Sequence, residues 1–365
     1  MRVLVAMSGG VDSSVAAALL AADGHDVVGA TLKLWGGPSD SGCCSVADVD
    51  DARRVAQQLG IAHHVLNLVD DFTDDVVVPY VASHAAGLTP NPCIECNRHI
   101  KFDRLLTRAR RMGFDRLATG HHARVACEGG RYVLRRGADG AKDQSYVLSM
   151  LGQRELADVW FPVGHLTKAA VRAQASRLGL RTAAKPDSQD VCFIHGAEGR
   201  QGFLRRRLEL HPAAVVDACT GTKLGEVEAV ELVTVGQRRG ITVAGERRYA
   251  VSVDVPGRRV EVAPLAQSLA DRVVLEPSSM TWTDGALPDG ARAIAQVSAH
   301  GRPVPCMLHV RRATGDGSAR EVVCRFDEPQ RPVAPGQTVA LYHAADPDAV
   351  AGAGIVAPAT AGRRR

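Results

Sequence analysis

Hydrophobic positions in the first 180 residues alternate between two periods. Arg2-Val3-Leu4-Val5-Ala6-Met7 is an apolar, β-branched run of strand length, and Ser8-Gly9-Gly10-Val11-Asp12-Ser13-Ser14 leads from it into an alanine-rich helix ending near Asp23-Gly24. Residues 27–32 read as a second strand. Ser45 then caps a helix with Val46, Val49, Val55, Ala56 and Leu59 on one face, closed by Gly60. A third strand follows over 61–68, helices over 71–84 and 98–112, and a fourth strand over 116–119. Strands alternating with helices predict an α/β fold with a doubly wound parallel sheet. Ligands bind such sheets at the carboxyl ends of the strands, which puts Leu32 and Gly120-His121-His122 beside the loop after the first strand. Leu32 is then a candidate surface for an adenine ring, and Gly120 a point of close nucleotide approach.

Residues 124–136 alternate around Glu128-Gly129-Gly130, the pattern of a hairpin, and 167–178 form a helix closed by Gly179. Beyond about residue 210 helical patterning fades. Short β-branched runs at 227–235, 249–255, 260–262, 272–275, 321–326 and 338–342, separated by Gly and Pro, predict one or two small all-β domains. The expected division is 1–199, 200–275 and 276–365, with boundaries good to about ten residues.

A length of 365 residues suits two or three domains, and 45% hydrophobic with 23% charged residues is an ordinary soluble composition. No apolar run approaches the ~18 residues of a membrane span, and an N-terminus that enters a strand at once is no signal peptide, so the expected location is the cytoplasm. Net charge is a mild +4, but it is unevenly spread: residues 1–80 hold eleven acids against four bases, and 98–116 hold seven bases against two acids. Further basic clusters fall at 205–207, 238–239, 247–248 and 363–365. Local basic stripes on a near-neutral chain point to a polyanionic partner, although solvated helix faces produce the same pattern.

The first loop carries the most specific chemistry. A strand that stops at two glycines and restarts as a helix aims several backbone N–H groups at one point, where an anion sits. Ser8 and Ser13 add hydroxyl donors, and Asp12 is a candidate ligand for a divalent ion such as Mg²⁺ beside phosphates. The loop lacks G-K-[ST] and G-x-G-x-x-G. It resembles the S-G-G-x-D-S loop of ATP pyrophosphatases, which cleave ATP between the α and β phosphates.

Nine cysteines in a cytosolic chain favour catalytic, metal-binding or buried roles over a disulfide framework. Thr89-Pro90-Asn91-Pro92-Cys93-Ile94-Glu95-Cys96-Asn97 reads as a proline-stiffened loop with a C-x-x-C pair: a redox couple, half a metal site, or a nucleophile with its neighbour. Cys192 lies among polar residues in Lys185-Pro186-Asp187-Ser188-Gln189-Asp190-Val191-Cys192-Phe193-Ile194. Cys43, Cys44, Cys127, Cys219, Cys306 and Cys324 have no such context and read as structural.

With these blocks, Ile100-Lys101-Phe102, Ala118-Thr119-Gly120-His121, Lys142-Asp143-Gln144-Ser145-Tyr146, Phe161-Pro162-Val163-Gly164, Gly236-Gln237-Arg238-Arg239-Gly240 and Pro335-Gly336-Gln337 make the chain similar, nearly end to end, to the tRNA-specific 2-thiouridylases. The resemblance implies an adenine-nucleotide α-hydrolase-like sheet followed by two small β-rich domains, the last a β-barrel. It implies ATP bound at Ala6, Met7, Ser8, Gly9, Gly10, Val11, Asp12 and Ser13, with Leu32 and Gly120. It also implies adenylation of the uridine 2-oxygen, a persulfide on Cys192, a resolving Cys96, and a Cys96–Cys192 disulfide each cycle. The implied tRNA contacts are His121, Lys142, Asp143, Gln144 and Gln337, and the implied sulfur donor is a cysteine desulfurase or a sulfur-relay protein.

Three departures qualify the resemblance. Some members place an aspartate general base where this chain has Cys93, which leaves the role to Glu95, a water or the substrate. Cys93, Cys96 and Cys192 form a three-thiolate set that, as an alternative, would hold a [4Fe-4S] cluster activating sulfide. The family's C-terminal Arg-Tyr pair reads Ser298-Ala299, with Arg302 nearby. Two other classes compete: a small-molecule adenylating ligase on the same loop, and a non-catalytic RNA- or zinc-binding protein with His99 or His195 as a fourth ligand.

Overall fold

The computed structural model describes residues 1–35, 46–187, 191–194, 199–241, 247–312 and 319–358. Ser45, Cys43, Cys44, Ser188, Gln189, Asp190, His195 and the 363–365 arginines lie outside them.

β1 (Arg2–Ala6) alternates its side chains between two cores. Leu4 joins Leu32, Ile100 and Leu117 on one face, and Val3 and Val5 join Val15, Val55 and Val171 on the other. Burial on both faces is what a continuous β-branched run predicts. β2 (Asp26–Lys33), β3 (Ala62–Asn67), β4 (Arg116–Thr119) and the short Val159–Trp160 strand complete an all-parallel sheet, in spatial order third, second, first, fourth, last. The strand order reverses at β1, so its carboxyl end opens at the topological switch point. α1 (Val11–Ala22) leaves from that point, and α2 (Val46–Leu59) crosses to β3.

One expected loop is a helix. Asn91 accepts hydrogen bonds from the N–H groups of Cys93 and Ile94, and Pro92 takes the first helical position, where its missing N–H costs nothing. The helical segment α3 therefore begins at Pro92–Glu95 and continues through Cys96–Leu105, in wide i→i+5 turns, to Leu106–Arg111. The C-x-x-C pair sits on its first turns. Arg104, Arg110 and Arg116 of the basic stretch pair with Asp75 and Asp158, so those charges tie helix to neighbour instead of lining an open face.

The 124–136 hairpin forms as Ala123–Glu128 and Arg131–Arg136, with Gly129 and Gly130 both at positive φ. A four-stranded sheet follows (Ala213–Asp217, Lys223–Val227, Arg248–Asp254, Arg259–Pro264). The run at 227–235 is a strand only to Val227. Val230 and Val233 turn into that sheet's own core over a short 3₁₀ turn, where buried Glu231 accepts from His211.

Seven strands make the C-terminal unit, all pairs antiparallel. Its first strand, Ala270–Leu275, ends just before the boundary expected at 276. That edge strand also meets the last one: Ala357 N–H donates to Val274 O, and Glu276 N–H to Ile355 O, rolling the sheet toward a barrel. Cys306 and Cys324 are buried in its core. The unit docks beside the α3 start, through Thr89 N–H to Pro335 O, Gln337 Nε2 to Thr89 O and Tyr146 Oη to Thr338 O.

Candidate functional site

The loop after β1 is pinned from within. Ser8 N–H donates to Ser13 Oγ, and Ser13 and Ser14 hydroxyls donate to Gly10 O. Gly9 holds φ +72°, and any side chain there would run into the backbone of Asp48. Among the described residues nothing accepts from the N–H groups of Gly10, Val11 and Asp12, the open start of α1. Ala6 and the buried Met7 and Val11 carry the loop on the sheet. Gly120 has a packing reason: a methyl there would stand 2.5 Å from Ser13 N, so it lets β4 lie against the first turn of α1. Leu32 is buried among the apolar residues of one sheet face.

Asp12 accepts from Lys168 Nζ at 2.8 and 2.7 Å and from His122 Nε2 at 3.0 Å. Burial opposes its charge, but these hydrogen bonds outweigh it and hold the carboxyl below the usual range. Lys168 also reaches Asp187 at 2.8 Å, as do Lys142 and Arg172. Burial again works against ionisation, yet the bonds from Lys142 and Lys168 bring Asp187 down to about 2. Two carboxylates thus stand among three amino or guanidino cations beside an anion-ready loop. Lys168 carries no chemical role in the sequence reading, and Lys185, Asp187 and His122 are named there only by position. The Lys-Pro-Asp block and Thr167, which caps the helix starting at Lys168, were their sequence signal.

The thiol side is apolar. Cys96 is buried in the core on the Leu4 face of the sheet, and Cys192 packs against the same core. Next to Cys192, Phe193 touches the rings of Phe72, Tyr80, Phe203 and Trp35 at centroid distances of 5.7, 5.4, 5.0 and 6.1 Å. Burial raises the Tyr80 phenol, Arg200 works against the rise, and the exposed Cys93 adds to it slightly. All described cysteines are thiols. Glu95, the nearby carboxylate, pairs with Arg98 and His99. Among the described residues no group of three His, Cys, Asp or Glu side chains is placed to hold a metal ion.

The residues expected to meet tRNA divide. Lys142 is partly exposed and paired with Asp187, and Gln144 accepts from His122 N–H through its side-chain oxygen. Gln337 is spent on Thr89 O. Asp143 faces inward, its two oxygens taking donors from Arg136, Gly137 and Ser145. His121 is buried between Phe102 and Phe161 and bonded to Thr119, and burial pushes it well below the usual imidazole range. Ser298 and Ala299 offer backbone oxygens to Gln296, and Arg302 is exposed.

Comparison with known proteins covers nearly all of this architecture. Residues 1–196 match the family described as tRNA methyl transferase HUP domain, and 274–356 the aminomethyltransferase beta-barrel domain. The chain is 42% identical to tRNA-specific 2-thiouridylase MnmA of Roseiflexus sp. (strain RS-1), over 98% of this chain and 99% of that protein. It is 44% identical to the protein of the same name from Mycolicibacterium smegmatis, over 100% of both chains, and 43% identical to that from Thermobifida fusca, over 98% and 96%. No helix among the described residues is long and apolar enough to cross a membrane.

Proposed function

The chain belongs to the tRNA-specific 2-thiouridylase family, and from that premise we propose that it is an ATP-dependent tRNA sulfurtransferase making 2-thiouridine at the wobble position. The uridine O2 attacks the α-phosphorus of ATP, the bond to the β-phosphate breaks, and pyrophosphate leaves as the base loses its N3 proton. The terminal sulfur of a Cys192 persulfide then attacks C2 and AMP departs with the former O2. Cys96 attacks Sγ of Cys192, the persulfide bond breaks, and the Cys96–Cys192 disulfide remains for a dithiol reductant. A cysteine desulfurase or sulfur-relay protein reloads Cys192.

The N–H groups of Gly10, Val11 and Asp12 hold phosphate oxygens, and Lys168 and Lys142 neutralise charge beside them. Asp12 with the ATP phosphates suits Mg²⁺, which binds through one or two carboxylates plus phosphates and supplies charge neutralisation. The anticodon-loop uridine enters unstacked, near Lys142 and Gln144. Glu95 is the carboxylate beside the position where Cys93 replaces a general base. No step runs through an iron–sulfur cluster.

The observation that carries this reading is that Cys96 and Cys192, far apart in sequence, meet the same apolar core, Cys96 within it and Cys192 packed against it. Such surroundings suit a polarisable sulfur relay. The test is pyrophosphate release with ATP and tRNA, followed by mass analysis of the digested tRNA. Cys192→Ser should release pyrophosphate at close to the wild-type rate and form no 2-thiouridine; thionucleoside made by that variant overturns the relay. Protein purified without oxygen should hold far less than one iron per chain, and roughly four irons with matching sulfide would replace the relay with a cluster.

A further inference from the structure

Lys185 lies outside the phosphate loop, yet its ammonium touches the loop backbone. Nζ donates to Gly9 O at 2.9 Å, to Asp48 Oδ1 at 2.6 Å and to Asp51 Oδ2 at 2.7 Å. Burial would lower its pKa, but the two carboxylates raise it, so the group stays a cation. Three acceptors match the three protons of an ammonium. The two aspartates lie on α2, whose first turn also packs directly against Gly9.

The Gly9–Gly10 peptide is trans, as are all the others described. In a trans peptide the carbonyl and the following N–H point in opposite directions. A carbonyl drawn toward Lys185 therefore turns Gly10 N–H away from Lys185 and α2, and that N–H has no acceptor among the described residues. Glycine on both sides of the bond gives this peptide unusual freedom to flip. Its orientation needs an external hold.

We propose that Lys185 is a positioning residue that locks the Gly9–Gly10 peptide so that Gly10 N–H is presented to a phosphate group of the nucleotide. This rests on the reading of the loop as an ATP site. Asp48 and Asp51 hold Lys185 in place and balance its charge, so its action on phosphate is through the peptide dipole and not through its own ammonium. Arg172, which donates to Ala183 O, Lys185 O and Asp187, fixes the backbone from which Lys185 projects.

The test is calorimetric titration of the full chain with ATP, AMP and adenosine. Lys185→Met should lose ATP affinity by about ten- to a hundredfold, the worth of one hydrogen bond to a charged group, and hold adenosine within about twofold. Lys185→Gln, whose amide still donates to Gly9 O without the charge, should recover most of the ATP affinity. Wild-type ATP affinity in Lys185→Met overturns the proposal, as does a parallel loss for adenosine and ATP. Where Lys185→Met does not fold, Lys185→Gln decides: ATP binding as weak as its adenosine binding overturns the proposal. A wild-type chain that binds no ATP overturns the proposed function itself.

Discussion

The phosphate loop at the carboxyl end of β1 and the thiol-bearing segments on the Leu4 face of the sheet are built from opposite materials. Around the loop, Lys168 bridges Asp12 and Asp187, Lys142 and Arg172 also pair with Asp187, and Lys185 pairs with Asp48 and Asp51. Around Cys96 and Cys192 the neighbours are aliphatic and aromatic, with Phe193 at the centre of four rings. Fixed charges and dipoles stabilise charge that develops on phosphate at little reorganisation cost. Sulfur transfer asks for dry, deformable packing that admits a second sulfur atom. The contrast says that the two halves of the reaction are separable by mutation.

The largest effect breaks both halves at once. Asp12→Ala should cut tRNA-dependent pyrophosphate release by at least about a hundredfold and with it all thiolation, because it strips Lys168 and His122 of their shared acceptor and removes the carboxylate nearest the phosphates. Retained pyrophosphate release in that variant would mean the loop is not the adenylation site. Cys192→Ser, by contrast, should touch only the apolar half.

A smaller effect concerns stability. Asp187 has a folded pKa of about 2 against an ordinary 3.8, so its ion pairs stabilise the fold fully above that ordinary value and cease to as pH falls through 2. Solvent screening of these partly exposed pairs leaves roughly 1 kcal/mol of that difference. Urea denaturation from about pH 6 down to pH 2 should show the wild type losing stability relative to Asp187→Asn, with the gap between them closing at the acid end. A gap independent of pH would mean the carboxylate contributes by shape alone.

The smallest effect sharpens the boundary between the two halves. Gln337→Ala removes the bond to Thr89 O, just before the cap of the cysteine helix, and should cost about 1 kcal/mol in denaturation. It should slow thiolation severalfold while leaving pyrophosphate release within about twofold, since its bond holds the thiol side. Equal slowing of both would assign Gln337 to tRNA binding instead.

The strand–loop–helix at 2–22, the doubly wound sheet and the β-rich remainder were legible because each is written in local periodicity: a buried β-branched run, two glycines, an alanine helix. The pairing of phosphate loop and distant thiols was legible only through motif resemblance. What escaped was the start of the cysteine helix. Asn91 and Pro92 are both good helix starters, yet the same residues favour turns, so Cys93 and Cys96 read as a loop until the cap hydrogen bonds decided otherwise. His121, Asp143 and Gln337, which the resemblance offers as tRNA contacts, also bond within the fold, to Thr119, to Arg136, Gly137 and Ser145, and to Thr89, since a polar side chain's partner is set by whatever the chain brings opposite it.

The sequence by itself therefore determined most of the element types, the order of the layers and the chemical inventory of phosphate loop, thiols and basic segments. Tertiary structure alone decided which polar groups meet: Lys168 with the Asp12 carboxylate across 156 positions, Lys185 with the Gly9 carbonyl across 176. The physical reason is range. Hydrophobic periodicity and capping act within a few residues and leave their mark on the string, whereas an ion pair needs only two groups within a few ångströms, and any of the chain's many acids and bases meets that description until the fold selects among them.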